Sequence, residues 1–350
     1  MFSEVGWDGE GRNVAQGQYD SNLGRISASF RRARDTPPRS GMVLSPTPMS
    51  FSYKALPGYF LQTDLKAEPG TIGPNPDAFG LIDGGSKTCW SDFEAKITKL
   101  QQDAPPGTKY VVCWFGRHGQ GWHNVGESKY GSKEWDEKWS LLNGDGRLYG
   151  VVTDPELTDL GKLQASQAHQ VWKTELAREN PVPLPTRLFS SPFSRAALTL
   201  DITFSDILTH KKDGSGLKPY VMENLREMNG EHTCDKRSPK SRIHKMYPEF
   251  EFEPGFTEEA SPSFCQGHPI PGDELWTPDH RETVPEIDKR VKSALDEIIG
   301  SLLKKEEIFI SITAHSGMIA SALRVLGHRE YLLPTGGVIP LVIQATESKH

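Results

Sequence analysis

The sequence predicts an α/β fold: a doubly wound, mainly parallel sheet flanked by helices, carrying an N-terminal arm and a lid insertion. Two kinds of segment carry that reading. Val111-Val112-Cys113-Trp114-Phe115 and Ile308-Phe309-Ile310-Ser311-Ile312 are short apolar runs, as expected of strands buried on both faces of a parallel sheet. Between them, Leu160, Leu163, Ala168, Val171, Trp172 and Leu176 recur at helical spacing, and so do Ile287, Val291, Leu295, Ile298, Ile299, Leu302 and Leu303.

In chain order, residues 1–49 are rich in Gly, Ser, Arg, Asn and Pro without apolar periodicity, which predicts a disordered, solvated leader. Its acids Glu4, Asp8, Glu10 and Asp20 argue against a mitochondrial transit segment. Residues 50–108 read as an arm packing on the core, irregular from Phe51 to Leu81 and helical from Ser91 to Leu100. The catalytic part, 109–350, opens on the strand at Val111. Thr158 is placed to cap the helix that follows, and a strand at Arg187 to Ser190 leads into a helix opening at Ser194. Residues of about 229–281 are rich in Pro, His, Glu and Gly and read as a lid. After the long apolar stripe and the strand to Thr313, a helix from Met318 to Leu326 stops at Gly327, and Val338 to Ile343 makes a last strand.

Composition excludes several classes. With 36% hydrophobic and 25% charged residues the chain is an ordinary globular one, and its apolar runs fall far short of the roughly 20 residues that span a bilayer. No early apolar stretch follows Met1, and the four dispersed cysteines are expected to be reduced thiols, so a cytoplasmic location is expected. Forty Lys and Arg against 46 Asp and Glu give a net charge of −6, which argues against a nucleic-acid partner. An anionic substrate then has to be held by a local arginine cluster. No membrane partner is expected, and the oligomeric state stays open.

Three polar clusters follow buried strands: Arg117-His118, Ser191 to Arg195, and His315-Ser316. Ligands of open α/β sheets sit beyond the carboxyl ends of strands, so the three clusters are expected to meet. Two arginines and two histidines there suit a phosphoryl group, whose oxygens match guanidinium forks. Singly, each residue is more often structural; their shared position makes the joint case.

These pieces resemble the histidine phosphatase superfamily, of phosphoglycerate-mutase-like fold, and most of all its larger branch with an N-terminal extension. The matching motifs are Arg117-His118-Gly119, then Asp154-Pro155-Glu156-Leu157-Thr158 with Gly161, Gln164 and Ala165, then Ser190-Ser191-Pro192-Phe193-Ser194-Arg195-Ala196, and Thr313-Ala314-His315-Ser316-Gly317, in the family's order. The resemblance implies His118 as a phosphorylated nucleophile, Arg117 and Arg195 as phosphate clamps, and His315 as a further donor. It also implies a leaving-group acid after the second arginine motif, where Glu223 and Glu227 stand four residues apart. Glu227, following Leu225-Arg226, resembles that acid better, which leaves Glu223 as a substrate-binding residue. Ser316 and Asn124 are expected at the substrate, Asn124 with a turn-capping role as the alternative.

Departures from the mutase pattern favour a hydrolase. After Arg117-His118-Gly119 comes Gln120-Gly121-Trp122-His123-Asn124, where mutases usually carry a hydroxyl residue near Gly121, and Met228-Asn229-Gly230 replaces the His-Tyr-Gly that follows the acid. In the lid, Arg237 is a candidate contact for an anionic substrate. His232, Cys234, Cys265 and His268 are zinc-type ligands at weakly diagnostic spacing, so no metal is expected, nor an organic cofactor. The expectation is a phosphohydrolase acting on a small-molecule phosphate ester. Its rivals are a mutase and a non-catalytic phosphate-ester binding protein, and the intact Arg117, His118, Arg195 and His315 argue against the latter.

Overall fold

The computed structural model describes residues 49–143, 153–258, 263–265, 268–270 and 275–348; residues 1–48 of the expected leader and several stretches of the expected lid lie outside them. The chain runs through β1 (Phe51–Leu56), one-turn α1 (Pro69–Ile72) and α2 (Cys89–Gln102) into β2 (Thr108–Arg117). Next come α3 (Trp122–Tyr130), α4 (Ser132–Glu137), α5 (Asp159–Leu176), β3 (Arg187–Ser190) and α6 (Ser194–Phe204). Two-residue strands β4 (Tyr220–Val221) and β5 (Glu251–Phe252) flank α7 (Lys240–Met246), and a small hairpin joins β6 (Ser263–Cys265) to β7 (His268–Ile270). The chain continues through α8 (Val284–Glu297), β8 (Phe309–Ala314), α9 (Ser316–Val325) and β9 (Val338–Glu347).

Seven strands form one mixed sheet in the order β1-β9-β2-β8-β3-β4-β5. From β2 to β5 neighbouring strands are parallel, whereas β9 is antiparallel to both β1 and β2. The continuous apolar run of β2 follows from burial on both faces. Val111, Cys113 and Phe115 join the layer of α8 and α9, and Val112 and Trp114 join that of α2, α5 and α6.

The arm is more regular than its composition implies. Phe51–Leu56 pairs along its length with β9 and completes one edge of the sheet, so Phe51 is buried. A lone edge strand gains order only from a partner almost 300 residues away, which local pattern does not reveal. Buried Glu175 of α5 fastens the rest of the arm: it accepts Trp90 Nε1 at 2.8 Å and the Ala78 N–H at 3.1 Å, and pairs with Arg178 at 2.6 Å. The last apolar stripe is not one regular helix either, since α8 gives way to a π-type turn over Ile298–Leu302.

Candidate active site

Register brings the three clusters together. Arg117 of β2 lies opposite Ala314 of β8, and Thr313 lies opposite Ser190 of β3, so His118, His315 and Ser191 leave the sheet side by side. The His118 N–H donates to Ala314 O at 3.0 Å and the Ser191 N–H to Thr313 O at 3.0 Å, extending the ladder past the strand ends. The glycine of Arg117-His118-Gly119 is required by a close approach: a Cβ on Gly119 would overlap the carbonyl of Gly161, and one on Gly161 the carbonyl of Gln120. This contact docks α5, whose first turn is capped by Thr158 Oγ1 accepting the Gly161 N–H at 3.0 Å.

His118 is buried, its ring centroid 5.0 Å from that of His315 and 5.3 Å from that of His123. Its Nδ1 lies 2.7 Å from Gly119 O. A carbonyl only accepts, so Nδ1 carries the proton and Nε2 keeps the nucleophilic lone pair. Burial, then the charges of Arg195 and Arg117, hold the ring well below the ordinary histidine range, so it is neutral at neutral pH. His123 and His315 are depressed in the same way, by burial first and Arg195 next. His315 Nε2 is 2.7 Å from Ser191 Oγ.

Arg195, in the first turn of α6, is 1% exposed, with its guanidinium 4.5 Å from the Phe193 ring centroid. Nη1 donates to Cys234 O at 2.9 Å and Nη2 to Asp235 Oδ1 at 3.1 Å. Asp154 fixes the start of that helix, accepting the Ser194 N–H at 2.9 Å and Ser194 Oγ at 2.6 Å. Arg117 is steadied by Nη1 donating to Leu333 O at 2.8 Å. Glu227 accepts the N–H groups of Gly317 at 3.0 Å and Met318 at 3.1 Å and the Ser316 hydroxyl at 3.3 Å, capping α9. A Cβ at position 317 would overlap this carboxylate, which accounts for the glycine after His315-Ser316.

A cleft of about 250 Å³ opens here, and Arg117, His123, Asn124, Arg195, Glu227 and Ser316 are among its lining residues. Asn124 also has the capping role weighed for it: Oδ1 accepts the Gly121 N–H at 3.0 Å at the start of α3.

Two expected substrate contacts are not brought to this cleft. Arg237 is buried elsewhere, its Nε 3.0 Å and 3.1 Å from the two Glu223 carboxylate oxygens and its Nη2 3.0 Å from Thr257 O. A buried guanidinium and a buried carboxylate pair with each other, so neither Glu223 nor Arg237 lines the cleft, whereas Glu227 does. Sequence reasoning missed His123, Asp235 and Arg281. His123 stands one residue before Asn124 in a stretch already under scrutiny, so its type was a usable signal; Asp235 and Arg281 sit at opposite ends of the lid, and nothing local marks them as partners.

Of the four zinc-type ligands, the side chains of Cys265 and His268 lie outside the described residues. His232, Cys234 and Asp235 do place ligand atoms within 4.8 Å of one another. Asp235, however, already engages Arg195 and Arg281, whose charges oppose a cation.

Comparison with known proteins shows the family. Residues 114–333 match the family model described as histidine phosphatase superfamily (branch 1). A "Probable phosphoglycerate mutase" of Arthroderma benhamiae is 39% identical over 308 residues, covering 85% of this chain and 85% of that protein. "Probable phosphoglycerate mutase PMU1" of Saccharomyces cerevisiae is 36% identical, covering 84% of this chain and 96% of that protein. Among solved structures, a mycobacterial glucosyl-3-phosphoglycerate phosphatase complexed with VO3 matches with a TM-score of 0.33 at 21% identity, covering 64% of this chain and 84% of that one. By the family model and these relatives, the chain belongs to the histidine phosphatase superfamily, whose members are phosphatases or mutases.

Proposed function

We propose that the protein is a cytosolic phosphohydrolase that removes phosphate from a small-molecule phosphate ester through a phosphohistidine at His118, with neither nucleic acid nor membrane as partner. One observation carries the reading. Arg117 Nε, Arg195 Nε, His123 Nδ1 and His315 Nδ1 are all buried without a hydrogen-bond partner among the described residues, close to the His118 imidazole, whose Nδ1 is held by Gly119 O. A buried polar group left unpaired costs about 1–3 kcal/mol, so four in one place are explained by a ligand rich in oxygen acceptors. A phosphoryl group is such a ligand.

In the first step His118 Nε2 attacks phosphorus and the ester P–O bond breaks, with Glu227 protonating the leaving oxygen. In the second, water attacks phosphorus, the P–N bond breaks, and Glu227 takes the water's proton, releasing orthophosphate and neutral His118. Arg117 and Arg195 stabilise the equatorial oxygens in both steps.

Water as acceptor is favoured by the departures from the mutase pattern around Gly121 and after Glu227. The printed names of the relatives favour a second reading, a mutase that returns the phosphoryl group to another carbon of the substrate. Among the described residues, no helix is long and apolar enough to cross a membrane.

Radiolabelled phosphate ester tests the proposal. Wild type should trap acid-labile, alkali-stable label and release orthophosphate, and His118→Ala should trap none. Equal label in both forms would remove His118 as nucleophile, and label recovered in an isomeric ester would make the protein a mutase.

A further inference from the structure

The two ring nitrogens of His315 have different surroundings. Nε2 lies 2.7 Å from Ser191 Oγ, whereas Nδ1 is buried with no hydrogen-bond partner among the described residues. Which nitrogen carries the proton decides what the ring offers a ligand: an N–H donates to a phosphoryl oxygen, and a bare lone pair repels it. Burial and then the charge of Arg195 keep the ring neutral at neutral pH, so it has one proton to place.

Ser191 is anchored on both sides. Its N–H donates to Thr313 O at 3.0 Å, on the strand that delivers His315 two residues later, and its carbonyl accepts Ser190 Oγ at 2.9 Å. Ser191 and His315 are both fully buried, so no bulk water competes for their contact. The Phe193 ring packs against the imidazole at 89°, with centroids 5.1 Å apart. The His315 side chain makes no capping hydrogen bond to α9, which leaves the ring to Ser191.

The hydrogens of this contact have one complete arrangement. Ser191 Oγ accepts the Phe193 N–H at 3.4 Å and has its own hydrogen to place, and His315 Nε2 is the acceptor within its reach among the described residues. With the ring proton on Nε2, that nitrogen would donate to Oγ and the buried hydroxyl hydrogen would be stranded, the costly state for a buried polar group. With Nε2 bare, the hydroxyl donates to it and the ring proton stands on Nδ1.

We propose that Ser191 is a positioning residue: its hydroxyl donates to His315 Nε2, fixes the imidazole in its Nδ1–H form, and so makes His315 a hydrogen-bond donor to the phosphoryl group. The assignment rests on the phosphoryl-transfer reading above. His118 and His315, with ring centroids 5.0 Å apart, then do different work in the same tautomer. In His118 the Nδ1 proton goes to the Gly119 carbonyl and the lone pair is left on Nε2; in His315 the Nε2 lone pair goes to Ser191 and the Nδ1 proton is left for the ligand. A His315 ring in this form has no lone pair to take the proton of the attacking water, which leaves that proton to Glu227.

Nitrogen-15 NMR of the imidazole rings tests the tautomer in the whole chain, with the His315 signals identified by their absence from His315→Ala. At neutral pH, with and without orthophosphate, the proton should stand on Nδ1, and Ser191→Ala should populate the Nε2–H form. A wild-type ring protonated on Nε2 or on both nitrogens, or a ring unchanged in Ser191→Ala, would each overturn the proposal. Turnover of p-nitrophenyl phosphate reads the consequence. In Ser191→Ala, kcat should fall about tenfold or more, the scale of loss when the partner orienting a metal-bound histidine is removed. In a His315→Ala background the same substitution should cost less than about twofold, because a residue that acts through His315 then has nothing to act on. An unchanged kcat in Ser191→Ala, or an equal loss in both backgrounds, would also overturn the proposal. If wild type releases no orthophosphate from any ester, the hydrolase reading fails while the NMR result still decides the role of Ser191.

Discussion

His118 is held neutral by its surroundings: burial and two nearby guanidinium groups oppose protonation, and the Gly119 carbonyl selects the tautomer. The guanidinium groups act through geometry as well as charge. Arg195 lies buried between the Cys234 carbonyl and Asp235, so Arg195→Lys keeps the cation but loses the planar fork. Turnover should fall roughly 10²-fold or more, with weaker inhibition by vanadate. Near-normal kinetics would take Arg195 out of the site.

Glu227 is tested by its dependence on the leaving group. Glu227→Gln should slow an alkyl phosphate about 10²-fold or more and p-nitrophenyl phosphate much less, because a nitrophenolate leaves without a proton and an alkoxide does not. Glu223→Gln should not produce that pattern, since Glu223 faces Arg237 rather than the cleft. An equal loss on both substrates in Glu227→Gln would place the proton donor elsewhere.

At the scale of elements, the site is an intersection. β2, β3 and β8 deliver Arg117, Ser191 and His315 at one level, and the first turns of α6 and α9, which follow β3 and β8, are capped by the carboxylates of Asp154 and Glu227. The arm contributes β1 at the sheet edge and α2 on one face, and the buried carboxylate of Glu175 fastens it to α5 beside the packing of Phe79 on Trp172. Glu175→Ala would strand the Trp90 indole N–H, the Ala78 N–H and the Arg178 guanidinium together. We expect a loss of about 2–4 kcal/mol in chemical denaturation. A change below about 0.5 kcal/mol would mean that the arm is held by its apolar contacts alone.

At the scale of the whole molecule, burying three neutral histidines in one site couples stability to pH. His118, His123 and His315 are all held well below their unfolded value, chiefly by burial. As pH falls below about 6.5 the unfolded chain takes up protons that the folded chain refuses, so stability declines from that point downward. Glu253 works the other way: burial pushes its carboxyl up to about 7, so the folded chain holds a proton there that the unfolded chain has lost. Glu253 and the likewise raised Glu297, set against these three histidines and the also lowered His232 and His328, leave a net fall in Tm between pH 7 and pH 5.5, and His315→Asn should make the fall shallower. A Tm that rises on acidification, or an identical slope in the variant, would contradict this balance.

The four motifs were legible in the sequence because each is local. A buried strand reads as an apolar run, the loop at its end reads as polar residues and glycine, and both survive without knowledge of what lies opposite. On that basis Arg117, His118, Arg195 and His315 stood out from sequence, Glu227 was added by the resemblance to the superfamily, and the alternation of strands and helices around them implied the doubly wound sheet. The edge strand β1, the antiparallel entry of β9, the retreat of Arg237 onto Glu223 and the meeting of Asp235 with Arg195 and Arg281 were decided only by tertiary structure. The physical reason is common to all four: a strand edge or a charged side chain takes whichever partner the folded chain brings within hydrogen-bonding range, and these partners lie from 14 residues to almost 300 residues away.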